Sequence, residues 1–320
     1  MAKVTNAFTT YDATADREEL SNTIFNIDPS STPFMSALGT KNVSNVVFDW
    51  QTENLPAVSA TGEIEGFEIS RAASTPTVRE SNVCQINSVN ATISGSQEGS
   101  DPAGKRSEMA HQLAIMSKAL KRNMETALCQ NQAKNAGNAS TARATRSFEA
   151  WVATNVSRGT GGANGSASAA ATDASNTNRR ALTEALLKGV LQSMFTNGAE
   201  PKLAIAGPVN KQVISGVTGR ANTRATVDVN TVSSSVSIYA SDFGNLEIIP
   251  SNRSRDRSLL LVDPEYAKVC FLRNFKTVDI AAIGDAETKL LLAEYGLEVS
   301  NEAAHGIVAC LLYTSDAADD

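Results

Sequence analysis

Between Ser107 and Asn135 apolar residues return every three or four positions. Met109, Leu113, Met116, Leu120, Met124 and Ala127 form one stripe, and Lys118, Lys121, Arg122 and Glu125 fall outside it. That period predicts an amphipathic helix from about Ser107 to Asn135 that buries the stripe against the β-rich carboxy-terminal half. At ~1.5 Å per residue it would span about 40 Å, enough to brace a domain. A second stripe, Leu182, Leu186, Val190 and Met194, predicts a helix over Arg180–Phe195, ended by Asn197-Gly198. Between the two, residues 136–180 are rich in Gly, Ala, Ser, Thr and Asn, above all from Arg158 to Asn176. This composition predicts a flexible loop with little to bury.

Elsewhere the period drops to two. Val46–Trp50 is β-branched and aromatic, and Ser81–Gly95 alternates through Val83, Gln85, Asn87, Val89, Ala91 and Ile93, so each reads as a strand. The polar stretch between them contains Gly62–Glu68, with Glu63, Glu65, Phe67 and Glu68. Two strands with so long an acidic excursion predict an extended two-stranded arm, which is marginal in water unless it rests on a neighbour. Pro201–Pro208 reads as a buried strand with a helix opening at Pro208, and after Val236 the chain is mostly β, with turns at Gly244-Asn245 and Asp263-Pro264. Residues 1–40 are polar and turn-rich except for Asn26–Gly39. There Pro33 opens a short helix through Phe34, Met35 and Leu38, which predicts an arm docked by Pro33, Phe34 and Leu38. The fold class is α+β.

Composition narrows the function. A chain of 320 residues with 42% hydrophobic content can build a substantial core, and no apolar run approaches the ~18 residues needed to span a bilayer. Met1–Thr10 lacks an apolar stretch, which predicts no secretory signal and a protein that stays in the cytoplasm where it is made. A net charge of -6, from 28 basic and 34 acidic residues, argues against a tight nucleic-acid grip and leaves only weak, non-specific contact with DNA. Cys84, Cys129, Cys270 and Cys310 lie far apart in sequence without CxxC spacing and read as reduced apolar residues.

The chemistry-bearing motifs are missing. No G-x-x-x-x-G-K-[ST] string occurs, the order of Gly159, Gly161, Gly162 and Gly165 does not match a dinucleotide loop, and no G-x-S-x-G elbow is present. His111 and His305 are the only imidazoles, and His111 sits beside the apolar stripe. Glu63, Glu65 and Glu68 could bind a divalent cation, but such clusters are more often a solvated loop or the mate of a basic patch. The expectation is therefore no catalytic residue, no cofactor and no metal. Cys310–Asp320, CLLYTSDAADD, resembles the translation of a sequencing-library adapter and is set aside from fold reasoning.

The order of polar arm, two-stranded excursion, long helix, small-residue loop, α/β layer and β-rich tail resembles the Hong-Kong-97-type fold of tailed-phage major capsid proteins. Asn26–Gly39, NIDPSSTPFMSALG, together with the run Asn301-Glu302-Ala303-Ala304-His305-Gly306, resembles more narrowly the subfamily of podophages with elongated heads. The resemblance implies an N-arm over 1–40, an E-loop with flanking strands over 41–95, and a spine helix in the P-domain over 96–140. It further implies an A-domain over 141–250, and a β-rich return over 251–309 that leads into the adapter-like 310–320. It implies a non-enzymatic, self-assembling shell subunit that forms hexamers and pentamers around dsDNA in a virion. Its partners would be copies of itself, scaffold and portal proteins and a decoration protein, with no membrane and no cofactor. An encapsulin-type nanocompartment shell shares the fold and would be told apart by a cargo-binding inner groove. A Ser/Gly-rich hydrolase would need a catalytic set that the sequence does not display.

Overall fold

The structure is a computed structural model that describes residues 32–53, 60, 62–68, 76–100, 107–217, 238–282, 284–309 and 311. Its longest helix, α3, runs over Glu108–Cys129, 22 residues or about 33 Å. Ser107 caps it, its Oγ accepting from Ala110 N at 3.2 Å. From α2 (Gly95–Gly99) Glu98 accepts from Ser107 Oγ at 2.6 Å and Met109 N at 3.0 Å. The helix stops at Cys129, short of the expected Asn135, because the next residues find better partners. Gln132 N donates to Ser147 Oγ at 2.7 Å, Lys134 Nζ reaches Ser81 Oγ at 2.8 Å, and Asn135 pairs with Ala144 as an isolated bridge.

One sheet carries the long helix. Its order is β1 (Gly39–Asn42), β10 (Ala267–Ile280), β11 (Ala286–Val299), β4 (Gln85–Ser94), with β1 parallel to β10 and the other pairs antiparallel. The amino-terminal half of α3 packs on β4, where Met109 joins Ala91 and Ile93, and further along Leu120 and Met124 enter the main core with Leu291, Ala293, Tyr295 and Leu297. The stripe thus faces β4 as well as the carboxy-terminal strands, which corrects the expectation. Leu113 and Met116 are only partly buried.

A second sheet has the order β5 (Val156–Ser157), β12 (Gly306–Ala309), β9 (Ser258–Val262), β6 (Leu203–Ala206), β8 (Gly244–Pro250), β7 (Ile238–Ser241). Helices α5 (Glu184–Thr196) and α6 (Pro208–Val217) flank it, so the helix–strand–helix succession forms an α/β layer. Within α5 the buried residues are Leu187, Val190, Leu191 and Met194, while Leu182 is buried just ahead of it. Ser81–Gly95, expected as one strand, is two: β3 (Val78–Val83) and β4, parted at buried Cys84, whose amide donates to Val46 O at 2.8 Å. β3 pairs with β2 (Val47–Thr52) in a separate two-stranded sheet, from Val47 opposite Val83 to Thr52 opposite Val78.

The largest correction concerns residues 136–180. They include α4 (Phe148–Trp151), every residue of which is buried, and Phe148, Trp151, Val152 and Ala174 belong to the main core. The many small polar residues obscured one aromatic cluster. Leu311, inside the stretch set aside as adapter-like, is buried in the second cluster, and its amide donates to Arg257 O at 3.0 Å. Packed structure therefore extends at least that far.

Candidate functional site

Two features brought out by the sequence converge on the main core, and a third faces outward. The first is the arm. Helix α1 (Pro33–Ala37) seats Phe34 edge-on against Phe148, ring centroids 5.4 Å apart, and Leu38 is buried beside it, while Pro33 is half-buried at the helix start. Its first amides are held by Glu125 of α3, Oε1 accepting from Phe34 N at 2.8 Å and Oε2 from Met35 N at 2.9 Å. Glu125, placed off the stripe by its polarity, is 0% exposed. Burial pushes its carboxyl above the usual range, against the pull of the two amides. The flanking Met124, Ala127, Leu128 and Cys129 are buried as well, so the last turns of α3 are enclosed on more than the striped face. Nothing in the helical period could have marked this acid as internal.

The second feature is the run Asn301–Gly306, and each residue type has a physical reason there. Asn301 Oδ1 accepts from Ala303 N at 3.1 Å and caps the short 3-10 turn Glu302–Ala304. Glu302 ties down the chain after α4, accepting from Thr154 N at 2.6 Å and Thr154 Oγ1 at 2.7 Å. Ala304 is buried. His305 packs edge-on against Phe148 at 5.1 Å, and its Nδ1 accepts from Asp263 N at 3.2 Å. Burial pushes the imidazole down to about 4, so it is neutral and enclosed at neutral pH, unsuited to acid–base work on a solvent-borne substrate. A Cβ on Gly306 would lie 2.5 Å from Met194 Sδ and 2.8 Å from Val190 Cγ1, so only glycine lets α5 sit on β12.

Asn155 knits these pieces together. Its Nδ2 donates to Ala303 O at 2.7 Å and His305 O at 3.0 Å, and its Oδ1 accepts from Ser193 Oγ and Asn197 Nδ2, both at 2.8 Å. Glu149, fully buried, accepts from Arg158, Arg255 and Ser258. Sequence reading missed both residues because they sit in the small-residue segment.

The third feature faces outward. Between the paired ends Thr52 and Val78, in the described piece Gly62–Glu68, every residue is exposed. Ile64 is 79% and Phe67 46% exposed, set between Glu63, Glu65 and Glu68, with a turn in which Phe67 N donates to Ile64 O at 3.1 Å. Val47 and Val78 at the root are exposed too. The four acidic and aromatic positions, Glu63, Glu65, Phe67 and Glu68, are all exposed. The structure therefore brings the arm residues and the distal helix face together and leaves these four on the surface. A cavity of about 660 Å³ at the root of the excursion is lined by Glu53, Glu80, Arg146, Trp151 and Glu302.

Among the described residues no group of three or more His, Cys, Asp or Glu is arranged to hold a metal ion, and no helix is long and apolar enough to cross a membrane. Cys84, Cys129 and Cys270 are free, buried thiols, and burial pushes Cys84 up to about 11. Cys84 and Cys270, distant in sequence, share a cluster with Phe48.

A family model described as SU10 major capsid protein matches residues 3–311. The major capsid protein of Escherichia phage Phieco32 is 30% identical over 128 residues, 40% of this chain and 36% of that protein, so the match spans just over a third of the relative's length. Among solved structures, the capsid of a native GTA particle computed with C5 symmetry is similar at a TM-score of 0.64 and 11% identity, covering 94% of this chain and 97% of that one. The holo-SrpI encapsulin complex from Synechococcus elongatus is similar at 0.57 and 13%, covering 94% of each chain. At such identities the likeness is one of fold.

Proposed function

We propose, from the premise that the chain belongs to the SU10 major capsid protein family, that its copies close into an icosahedral shell of hexamers and pentamers that encloses dsDNA. The fold is Hong-Kong-97-type and the protein is a phage virion shell subunit. In this reading α1 and the chain before it form the N-arm, β2 and β3 carry the E-loop, and α3 is the spine helix of the P-domain. The sheet flanked by α5 and α6 is the A-domain. The subunit has no catalytic task, and scaffold, portal and decoration proteins are its further partners.

The observation that carries the assembly reading is the excursion beyond Thr52. A two-stranded sheet has no core of its own, and the stretch between these two strands exposes Ile64 and Phe67 to solvent among three carboxylates. Exposed apolar side chains on a projecting arm become useful when another copy buries them. The charge balance of the chain suits a container wall across which DNA must move. An encapsulin shell is the second reading, favoured only by likeness of fold.

Replacing residues 54–76 by a short Gly-Ser turn tests the role of the arm. The shortened subunit should keep its thermal transition, since α3 and the two larger sheets retain their contacts, and should fail to assemble. Normal closed shells from the shortened protein would refute the E-loop assignment.

A further inference from the structure

The amino-terminal helix α1 has only five residues, too few to hold itself in water, and its N-cap Thr32 makes no side-chain capping bond. The free amides of its first turn are satisfied from elsewhere in the chain, by the two oxygens of Glu125 at 2.8 and 2.9 Å. A carboxylate at this spot does what a capping residue does locally, and it aligns with the positive end of the helix. The apolar contact of Phe34 with Phe148 fixes the other side of α1 but sets no direction for the helix axis. Two hydrogen bonds to adjacent amides do set that direction.

We propose that Glu125 is the positioning residue of helix α1: its carboxylate orients α1 on α3 and so sets the position and direction of the chain at Thr32, an orientation that assembly with other copies requires. The orientation stands on the subunit alone, and its bearing on assembly rests on the capsid reading. No residue of α1 is titratable, and the groups acting on Glu125 are its burial and the two arm amides, while the Cys129 thiol lies within its electrostatic reach. The contact is thus a single bidentate clasp. Glutamine keeps one acceptor, and alanine keeps none.

Hydrogen exchange of the full chain, read on peptides covering residues 33–42 and 286–299, tests the clasp in wild type, Glu125→Gln and Glu125→Ala. Loss of two bonds to a charged acceptor should speed exchange over 33–38 by about tenfold to a hundredfold in Glu125→Ala, with β11 unchanged and Glu125→Gln in between. Wild-type exchange over 33–38 in Glu125→Ala overturns the proposal. If Glu125→Ala loosens both peptides, Glu125→Gln decides: faster exchange confined to the arm supports the clasp, and an unchanged arm refutes it. In assembly trials Glu125→Ala should give few or irregular shells where wild type closes, and normal shells from a loosened α1 would overturn the link to assembly. Wild type that builds no shell at all would count against the capsid reading and leave the exchange result standing.

Discussion

Replacing Glu149 by glutamine should destabilise the subunit out of proportion to the one atom changed. Glu149 Oε1 accepts from Arg158 Nη1 at 3.1 Å, and Oε2 accepts from Arg255 Nη1 and Ser258 Oγ, both at 2.9 Å. The Glu149 and Arg158 side chains are 0% and 4% exposed, so neither charge can turn to water. Glutamine keeps the shape but leaves the Arg158 guanidinium buried without its counter-charge, and its amide hydrogens face other donors. Removing one partner of a buried pair costs about 3–5 kcal/mol. The lower part of that range applies here, because Arg255 keeps Asp173 and is partly solvated. For a chain of this length m in urea should be near 3 kcal/mol per M, so the midpoint should fall by about 1 M. Glu149→Leu combined with Arg158→Met should cost less than Glu149→Gln, since no charge is stranded between them. A shift below about 0.3 M for Glu149→Gln, roughly 1 kcal/mol, would refute the claim that this ion network fixes residues 136–180 onto the second sheet.

Leu120→Ala should cost about 2–5 kcal/mol, because Leu120 is enclosed in the main core, and Leu113→Ala should cost distinctly less at its half-buried position; equal shifts in denaturant midpoint would show that the two ends of the stripe are packed alike. His305 titrates near 4 in the folded protein against an ordinary 6.5, so the unfolded chain takes up this proton first as pH falls. Stability should therefore decline between about pH 6.5 and 4 by on the order of 3 kcal/mol, and His305→Asn should flatten that part of the pH profile. An identical slope in the variant would contradict the burial argument.

The sequence carried the periodic parts of the fold. The stripe Met109 to Met124 marked α3, the alternation around Val89 to Ile93 marked β4, and Pro33 and Pro208 marked helix starts that the structure retains. What it hid were polar residues made internal by partners distant along the chain. Glu125 is answered by α1, Glu149 by Arg158 and Arg255, and Asn155 by the turn at Ala303, and no local pattern announces such pairings. Residues 136–180 failed for a related reason, because composition averages over a window and Phe148 with Trp151 is a short apolar island in a polar sea. The run Asn301–Gly306 was legible as a motif, but its meaning became physical only when Gly306 was found beneath Met194 and Val190.

Electron microscopy of the purified full chain under assembly conditions decides whether the subunit builds a shell. Closed shells of uniform size, built from rings of five and six copies, are expected. A population that stays as monomers or small open oligomers, while remaining folded by its thermal transition, would contradict the capsid reading.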